Sequence, residues 1–320
     1  MMSLALAGTL RPAYALAIAA FAGVVRPADY GMRNALIGET MPAGRLMATM
    51  GLSRATADSA RIAGSLAGAG LFALLGLGPV YFAIACCYGL GFLFTLGVAG
   101  RRIDIGTATG PRDSLWRDLK EGLAYVWDTP ASLAAMWLAF LVNLTAFPLT
   151  SGLLPYVARE IYRIDQTGLG LLAASFALGS MVGSILIGMA GRLVRPARMM
   201  ILFALGWYAM LLVFVEMPGP GSAHPMLLLA GVAQSFCLVP MSVMLLHSAG
   251  DRFRGRVMGV RMMAIYGVPI GLLVAGFMIE RLGFAVTARS YCLAGIVITG
   301  LIVLRWRAAL WPLDAPGNAR

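Results

Sequence analysis

Long apolar runs, broken by short stretches that gather arginine, set the pattern of this chain. A run of about 20 residues with few charges is long enough to cross a hydrocarbon layer ~30 Å thick as a helix. The pattern predicts nine such spans, over 13–31, 55–75, 80–98, 133–153, 169–190, 199–215, 226–246, 257–279 and 286–304. The stretch 1–9 is apolar but too short to span. Between the spans, charge alternates. One set of connectors holds Arg26, Arg33, Arg45, Arg54 and Arg61, then Arg101, Arg102, Arg112, Arg117 and Lys120, then Arg192, Arg195 and Arg198. It continues with "HSAGDRFRGRVMGVR" (247–261), which crowds in Arg252, Arg254, Arg256 and Arg261, and ends with Arg305, Arg307 and Arg320. The other set holds only Arg11, Arg159, Arg163, Arg281 and Arg289. Cations resist translocation, so the rich set marks the cytoplasmic side, and the C-terminus falls on that side. Within it, 115–127 reads as an amphipathic surface helix with Leu115, Leu119 and Leu123 on one side and Arg117 and Lys120 elsewhere.

Composition makes lipid the solvent. Hydrophobic residues are 60% of the chain and charged residues 12%, against about 25% charged in a soluble domain. The fold class that follows is an all-α, polytopic membrane protein, with membrane lipids as its first partner. The 39 glycines suit close helix packing, as in "GSMVG" (179–183) and "GVPIG" (267–271), and no basic phosphate-binding loop follows either run. A net charge of +11 would admit nucleic acid only if it formed a basic face on a soluble fold, whereas these cations sit in short connectors. Cys86, Cys87, Cys237 and Cys292 lie inside apolar runs and form neither a disulfide framework nor a metal-ligand spacing. His224, in an outer loop, and His247 have no metal-like companions. With no paired acid and base, nucleophile or metal set, the sequence gives no enzyme and no cofactor.

The chain also repeats itself. "MGLSRATADSARIAGSLAG" (50–68) lies over "MGVRMMAIYGVPIGLLVAG" (258–276), and the same offset lays "AGV" at 22–24 over "AGV" at 230–232. Duplicated halves are common in secondary transporters. The second half begins near Leu133, and its counterpart falls before Met1. The expectation is therefore that two helices and most of a third are absent upstream. Restoring them gives twelve spans with both ends inside and removes the odd topology of nine.

Three segments resemble the major facilitator superfamily, in particular its bacterial drug- and siderophore-exporter branch (enterobactin-exporter-like). They are "RGRVMGV" (254–260) at the start of the penultimate helix, "LPYVAREIYRIDQTGLGLLAASFALGSMVGS" (154–184) over the seventh and eighth helices, and "LKEGLAYVWDTP" (119–130) leading into the seventh. The resemblance covers nearly the whole chain, from the end of family helix three to helix twelve. It implies a partial N-terminal bundle over 1–99, a cytoplasmic connector over 100–131, a six-helix C-terminal bundle over 132–306 and a cytoplasmic tail over 307–320. It implies a multi-pass protein of the bacterial inner membrane, exporting small apolar or amphipathic molecules by alternating access with the proton as coupling ion. The alternative is a truncated fragment that only associates with lipid or partner helices. Two departures stand out. "GSLAGA" (64–69) has Ser65 where antiporters of the family often place proline, and "GMAGRLVR" (188–195) has Arg192 where an Asp is usual.

In the resembled fold, helices one, four, seven and ten line the central cavity. Asn143, Phe147 and Thr150, at i, i+4 and i+7, then share a cavity face, as do Gln234 and Met241, with Tyr266 as a weaker candidate. Interhelical hydrogen bonding is the competing role for Asn143 and Gln234. Asp251, Arg252, Arg254 and Arg256 are candidates for a cytoplasmic gate, pairing with carboxylates or helix-end carbonyls when the inner face closes, or else mere topology markers in contact with anionic lipid. Arg26, Asp29 and Arg33 share one helix face and are further gate candidates. Asp58, between Arg54 and Arg61 at i+4 and i−3 spacing, reads first as an interfacial ion-pair cluster and second as a proton-coupling group.

Overall fold

The computed structural model describes Ile37, Met41 and residues 45–96, 115–190 and 195–311. The predicted span 13–31, and with it Arg26, Asp29 and Arg33, lies outside the described residues. Among those described there is no strand. Helices α1 (Leu46–Leu75) and α2 (Leu77–Leu96) come first, then α3 (Leu115–Asp128). Next is α4 (Pro130–Phe147), prolonged by π-type turns to Ile161, followed by α5 (Gln166–Ala190), α6 (Pro196–Val215) and α7 (Pro220–Ser248). The chain continues with α8 (Gly250–Met263), a 3₁₀ turn (Ala264–Tyr266), α9 (Gly267–Leu282) and α10 (Phe284–Leu310).

Six of these rods, Pro130–Ile161, Gln166–Ala190, Pro196–Val215, Pro220–Ser248, Phe253–Leu282 and Phe284–Leu310, are long and apolar enough to cross a membrane. They correspond to the last six predicted spans. The spans expected at 55–75 and 80–98 are helical too, as α1 and α2. The first carries Arg54, Asp58 and Arg61, and the second has only a shorter apolar stretch, Gly78–Phe94. Local chemistry sets several boundaries. Proline opens α4, α6 and α7 at their first turns, where its missing N–H has no intrahelical partner to lose. Gly76 and Gly283 adopt positive φ (75° and 81°) where α1 passes to α2 and α9 to α10, a conformation that side chains with a Cβ disfavour.

Helix α7 is the spine. Of its most apolar window 72% is buried, against 22% for α10 and 28% for the α8–α9 rod, so among the described residues α7 is enclosed by helices while the other two are largely uncovered. It packs along both α5 and α6, and α1 packs along α5 and also touches α7. In a membrane such packing rests on close van der Waals contact, which small residues allow. The glycine runs read from the sequence do this. A Cβ on Gly179 or Gly183 of α5 would strike the carbonyls of Leu228 and Val232 on α7, and one on Gly231 would strike Phe176 O in return. Gly267 and Gly271 bring α9 onto the backbone of α4 beside Phe140 and Leu144. Cys237 and Cys292 are buried and Cys86 and Cys87 exposed, all as free thiols.

The basic stretch carries the start of the penultimate rod, as expected of 254–260: α7 runs to Ser248 and α8 starts at Gly250, so its arginines stand on a helix. Three expectations are corrected. His224 is not in a loop, because α7 begins at Pro220; its Nδ1 lies 2.9 Å from the Ser175 hydroxyl of α5. In α3 Leu123 faces outward, 48% exposed, while the inward stripe runs through Leu119, Gly122 and Val126. Lastly, Arg54 and Arg61 lie well inside α1 and are not connector residues.

Candidate functional site

The polar residues of the interior converge where α1, α5 and α7 meet. Gln234 is the central residue of the 29-residue α7, about 21 Å from either end at 1.5 Å per residue. Ser180 lies near the middle of α5 and Asp58 near the middle of α1. All three side chains are fully buried. Asp58 Oδ2 accepts a 2.6 Å hydrogen bond from the Ser180 hydroxyl and lies 3.4 Å from Arg54 Nε, and its Oδ1 lies 3.3 Å from an Arg61 nitrogen. Arg54 also donates to Gln234 Oε1 at 3.0 Å, and Ser180 reaches the same oxygen at 3.2 Å. Ser235 donates to Ser180 O at 2.7 Å, and Ser184 donates to Ser235 Oγ at 3.1 Å. Arg54 can only donate, so Oε1 must face it and Nε2 must point away. Nε2, Arg54 Nε and Asp58 Oδ1 are left without a hydrogen-bond partner among the described residues.

Asp58 pairs with Arg54 and Arg61, as the ion-pair reading expected, and its side chain is enclosed. An ionisable group halfway along helices of this length sits deep in the bundle, where it persists only when paired. The i+4 and i−3 spacing supplies Arg54 and Arg61 from its own helix, and α5 and α7 supply the neutral donors and acceptors. Gln234, expected on a cavity face, serves as the interhelical partner that was its competing role. Ser180 and Ser235 were missed by sequence reasoning. The available signal was their place beside Gly179 and Gly183 on the small-residue face of α5, and beside Gln234 on α7.

The other cavity candidates do not join this cluster through any hydrogen bond. Asn143 donates to its own Ala139 carbonyl at 2.8 Å, and Thr150 turns back to Ala146 and Phe147 at 3.4 Å. The expected α-helical face through Asn143, Phe147 and Thr150 is interrupted because Pro148 opens a π turn (Pro148–Gly152) and shifts the register. Phe147 meets Trp207 edge-on at 5.3 Å. Met241 is buried, whereas Tyr266 is 47% exposed on the 3₁₀ turn.

A second constellation joins α3 to the start of α8. Arg256 forms a 2.7 Å ion pair with Glu121 and lies 5.5 Å above the Phe253 ring, which stacks on Tyr125 at 4.7 Å. The Tyr125 hydroxyl donates to Ser248 O at the end of α7, and Arg254 Nε donates to Leu246 O at 3.3 Å. Gly122 makes this possible, since even a Cβ there would stand 3.1 Å from the Arg256 backbone. Asp251 and Arg252 belong to the first turn of α8; their side chains are not among those described.

The sequence profile of the Major Facilitator Superfamily matches residues 1–264 and again 136–319, which together take in almost the whole chain. The chain belongs to this superfamily. It is therefore a multi-pass membrane transporter, and the clusters above belong to a transporter's interior and to one of its ends. No curated protein matches the sequence.

Proposed function

We propose that this major facilitator protein is a secondary transporter of the exporter type, using a proton gradient to drive efflux of small apolar or amphipathic molecules across a bacterial inner membrane. Its mode of action is alternating access, in which two helical bundles rock about a site near the bilayer midplane. The observation that carries the reading is the buried Asp58–Arg54–Arg61–Ser180–Gln234 cluster at mid-depth. Buried ionisable groups at that depth mark ion and substrate pathways. Asp58 is the carboxylate there that can take up and release a proton, and Arg54 and Arg61 are the counter-charges it would release on protonation. Asn143, Phe147, Thr150, Met241 and Tyr266 are the surrounding substrate contacts in this reading. The α3–α8 contacts, with Asp251, Arg252, Arg254 and Arg256, form the cytoplasmic gate. The arginine-rich connectors and the C-terminus lie on the cytoplasmic side.

The test uses proteoliposomes with an acidic lumen and dansylglycine as probe. A weak acid is passively excluded from an acidic interior, so uptake above that of empty liposomes reports exchange against protons. Wild type should accumulate the probe. Asp58→Asn should lose this accumulation and keep counterflow of preloaded probe. No accumulation by wild type defeats the transport reading, and unimpaired gradient-driven uptake by Asp58→Asn removes Asp58 from coupling.

A further inference from the structure

Helices α6 and α10 pack against each other, and a Cβ on Gly295 of α10 would strike the Tyr208 ring of α6. The start of α6 meets the end of α10, where the Arg198 guanidinium lies 5.7 Å over the Trp311 ring. Around this contact each helix turns one exposed face outward. On α6 that face runs through Arg195, Arg198 and Leu202, at i, i+3 and i+7, and Leu202 is 63% exposed. On α10 it runs through Leu304, Arg307 and Trp311 at the same spacing, with Leu304 69% exposed and Trp311 41%. Deeper along the two helices stand Gly206 and Gly300, where an added Cβ would meet nothing among the described residues. The seam is therefore charged and aromatic at the helix ends, and apolar and open from the next turn inward. A lipid divides at the same depth into headgroup and chain.

We infer that this seam binds one anionic phospholipid. Arg198 and Arg307 both adjoin Trp311, the first over its ring and the second one turn before it on α10, ~6 Å along the axis. Each carries a planar fork of donors that matches the oxygens of a phosphodiester. Arg195, one turn before Arg198, adds a third cation to the same face. The acyl chains lie along Leu202 and Leu304 and over Gly206 and Gly300. The ligand reaches this exposed seam from the bilayer, without passing through the packed interior. A free phosphate lacks the half of the ligand that the apolar turns receive. Position on the helix, and not charge alone, selects these arginines. Arg305, two residues before Arg307, is turned about 200° away from it and lies over Trp306 at 5.6 Å. The lipid site stands apart from the proposed coupling site and gate.

The test is native mass spectrometry of the full chain released from an uncharged maltoside detergent, with dioleoyl phosphatidylglycerol and dioleoyl phosphatidylcholine titrated separately. Wild type should retain one phosphatidylglycerol about tenfold or more tightly than phosphatidylcholine. Arg198→Gln and Arg307→Gln should each cut that preference about fivefold, and the double variant should abolish it. Arg305→Gln makes the same charge change at the same end of α10 and should leave the preference intact. An excess of glycerol 3-phosphate should not displace the lipid. Monodisperse elution of each variant establishes that it folds. Equal retention of the two lipids, no retained lipid, a preference that survives the double variant, or an equal loss in Arg305→Gln overturns the proposal. Displacement by glycerol 3-phosphate overturns it too, because the site would then take a free anion and not a lipid.

Discussion

Among the arginine–carboxylate contacts of the described residues, the Asp58 cluster and the Arg256–Glu121 pair differ most instructively, and burial makes them different devices. In the mid-depth cluster Asp58 is wholly enclosed and its partners Arg54 and Arg61 are 24% and 42% exposed. At the end of the bundle Arg256 and Glu121 are 26% and 36% exposed, and an aromatic stack supports them. Water and salt screen the second pair, so its ionic part is worth only ~0–1 kcal/mol. In the first cluster only the arginines reach the surface and the carboxylate is enclosed, so removing an arginine leaves Asp58 with one counter-charge fewer and no water in its place. The cluster is thus built to stay closed unless its charge changes, whereas the end contact can open and shut cheaply. The proposed coupling site and the proposed gate would need this division of labour.

The largest predicted effect follows directly. Asp58→Ala leaves Arg54 and Arg61 without their anion and should destabilise the fold by about 3 kcal/mol. Adding Arg54→Ala should recover part of that loss, with a coupling of roughly 1–3 kcal/mol between the two sites. Unfolding in bicelles by a denaturing detergent measures both. Losses that simply add would show that Asp58 and Arg54 do not act as a pair.

Smaller effects are expected at the end contact. A leucine at Gly122 cannot fit 3.1 Å from the Arg256 backbone, so Gly122→Leu should lift α3 from α8, at a cost of about 1–3 kcal/mol. The loss should be local: hydrogen exchange should rise across Leu119–Val126 and stay unchanged across α5 and α7. Glu121→Gln removes only the ionic part and should change exchange in the same segment by less than a tenth as much. If the two variants behave alike, the ion pair and not the close approach holds α3 in place.

The contrast also explains what the sequence could reveal. The six long apolar rods were legible because lipid demands length and apolarity in an unbroken run, and both can be read along one strand of text. The glycine seams were legible for a related reason, since small residues recur at helical spacing on Gly179, Gly183, Gly267 and Gly271. Asp58 was visible as a triad with Arg54 and Arg61, but its depth was not. Depth depends on where α1 lies against α5 and α7, and a triad near the first turns of a span looks the same as one at its middle. Ser180 and Ser235 gave almost no signal, because a serine in a small-residue stripe serves packing or hydrogen bonding equally well. The face through Asn143 and Thr150 failed for a local reason, as Pro148 deprives the helix of one donor and lets a π turn take over.

The smallest effect tests the opposite, exposed extreme of the comparison. Glu216, just beyond α6, receives two hydrogen bonds from Arg289 of α10, at 2.6 and 2.8 Å, with both side chains about half exposed. These bonds hold the Glu216 carboxyl below its ordinary value of 4.5. A depressed carboxylate contributes stability that is present in full above its unfolded value and disappears as pH falls through the folded one. The thermal midpoint of wild type should therefore exceed that of Arg289→Gln at pH 7, and the gap should close as pH drops below about 4.5. Raising salt at pH 7 should narrow the same gap, because an exposed pair is screened. A gap that survives both acid and salt would mean that Arg289 acts through the packing of its alkyl stem. The Glu216 pair would then no longer stand as the screened counterpart of Asp58.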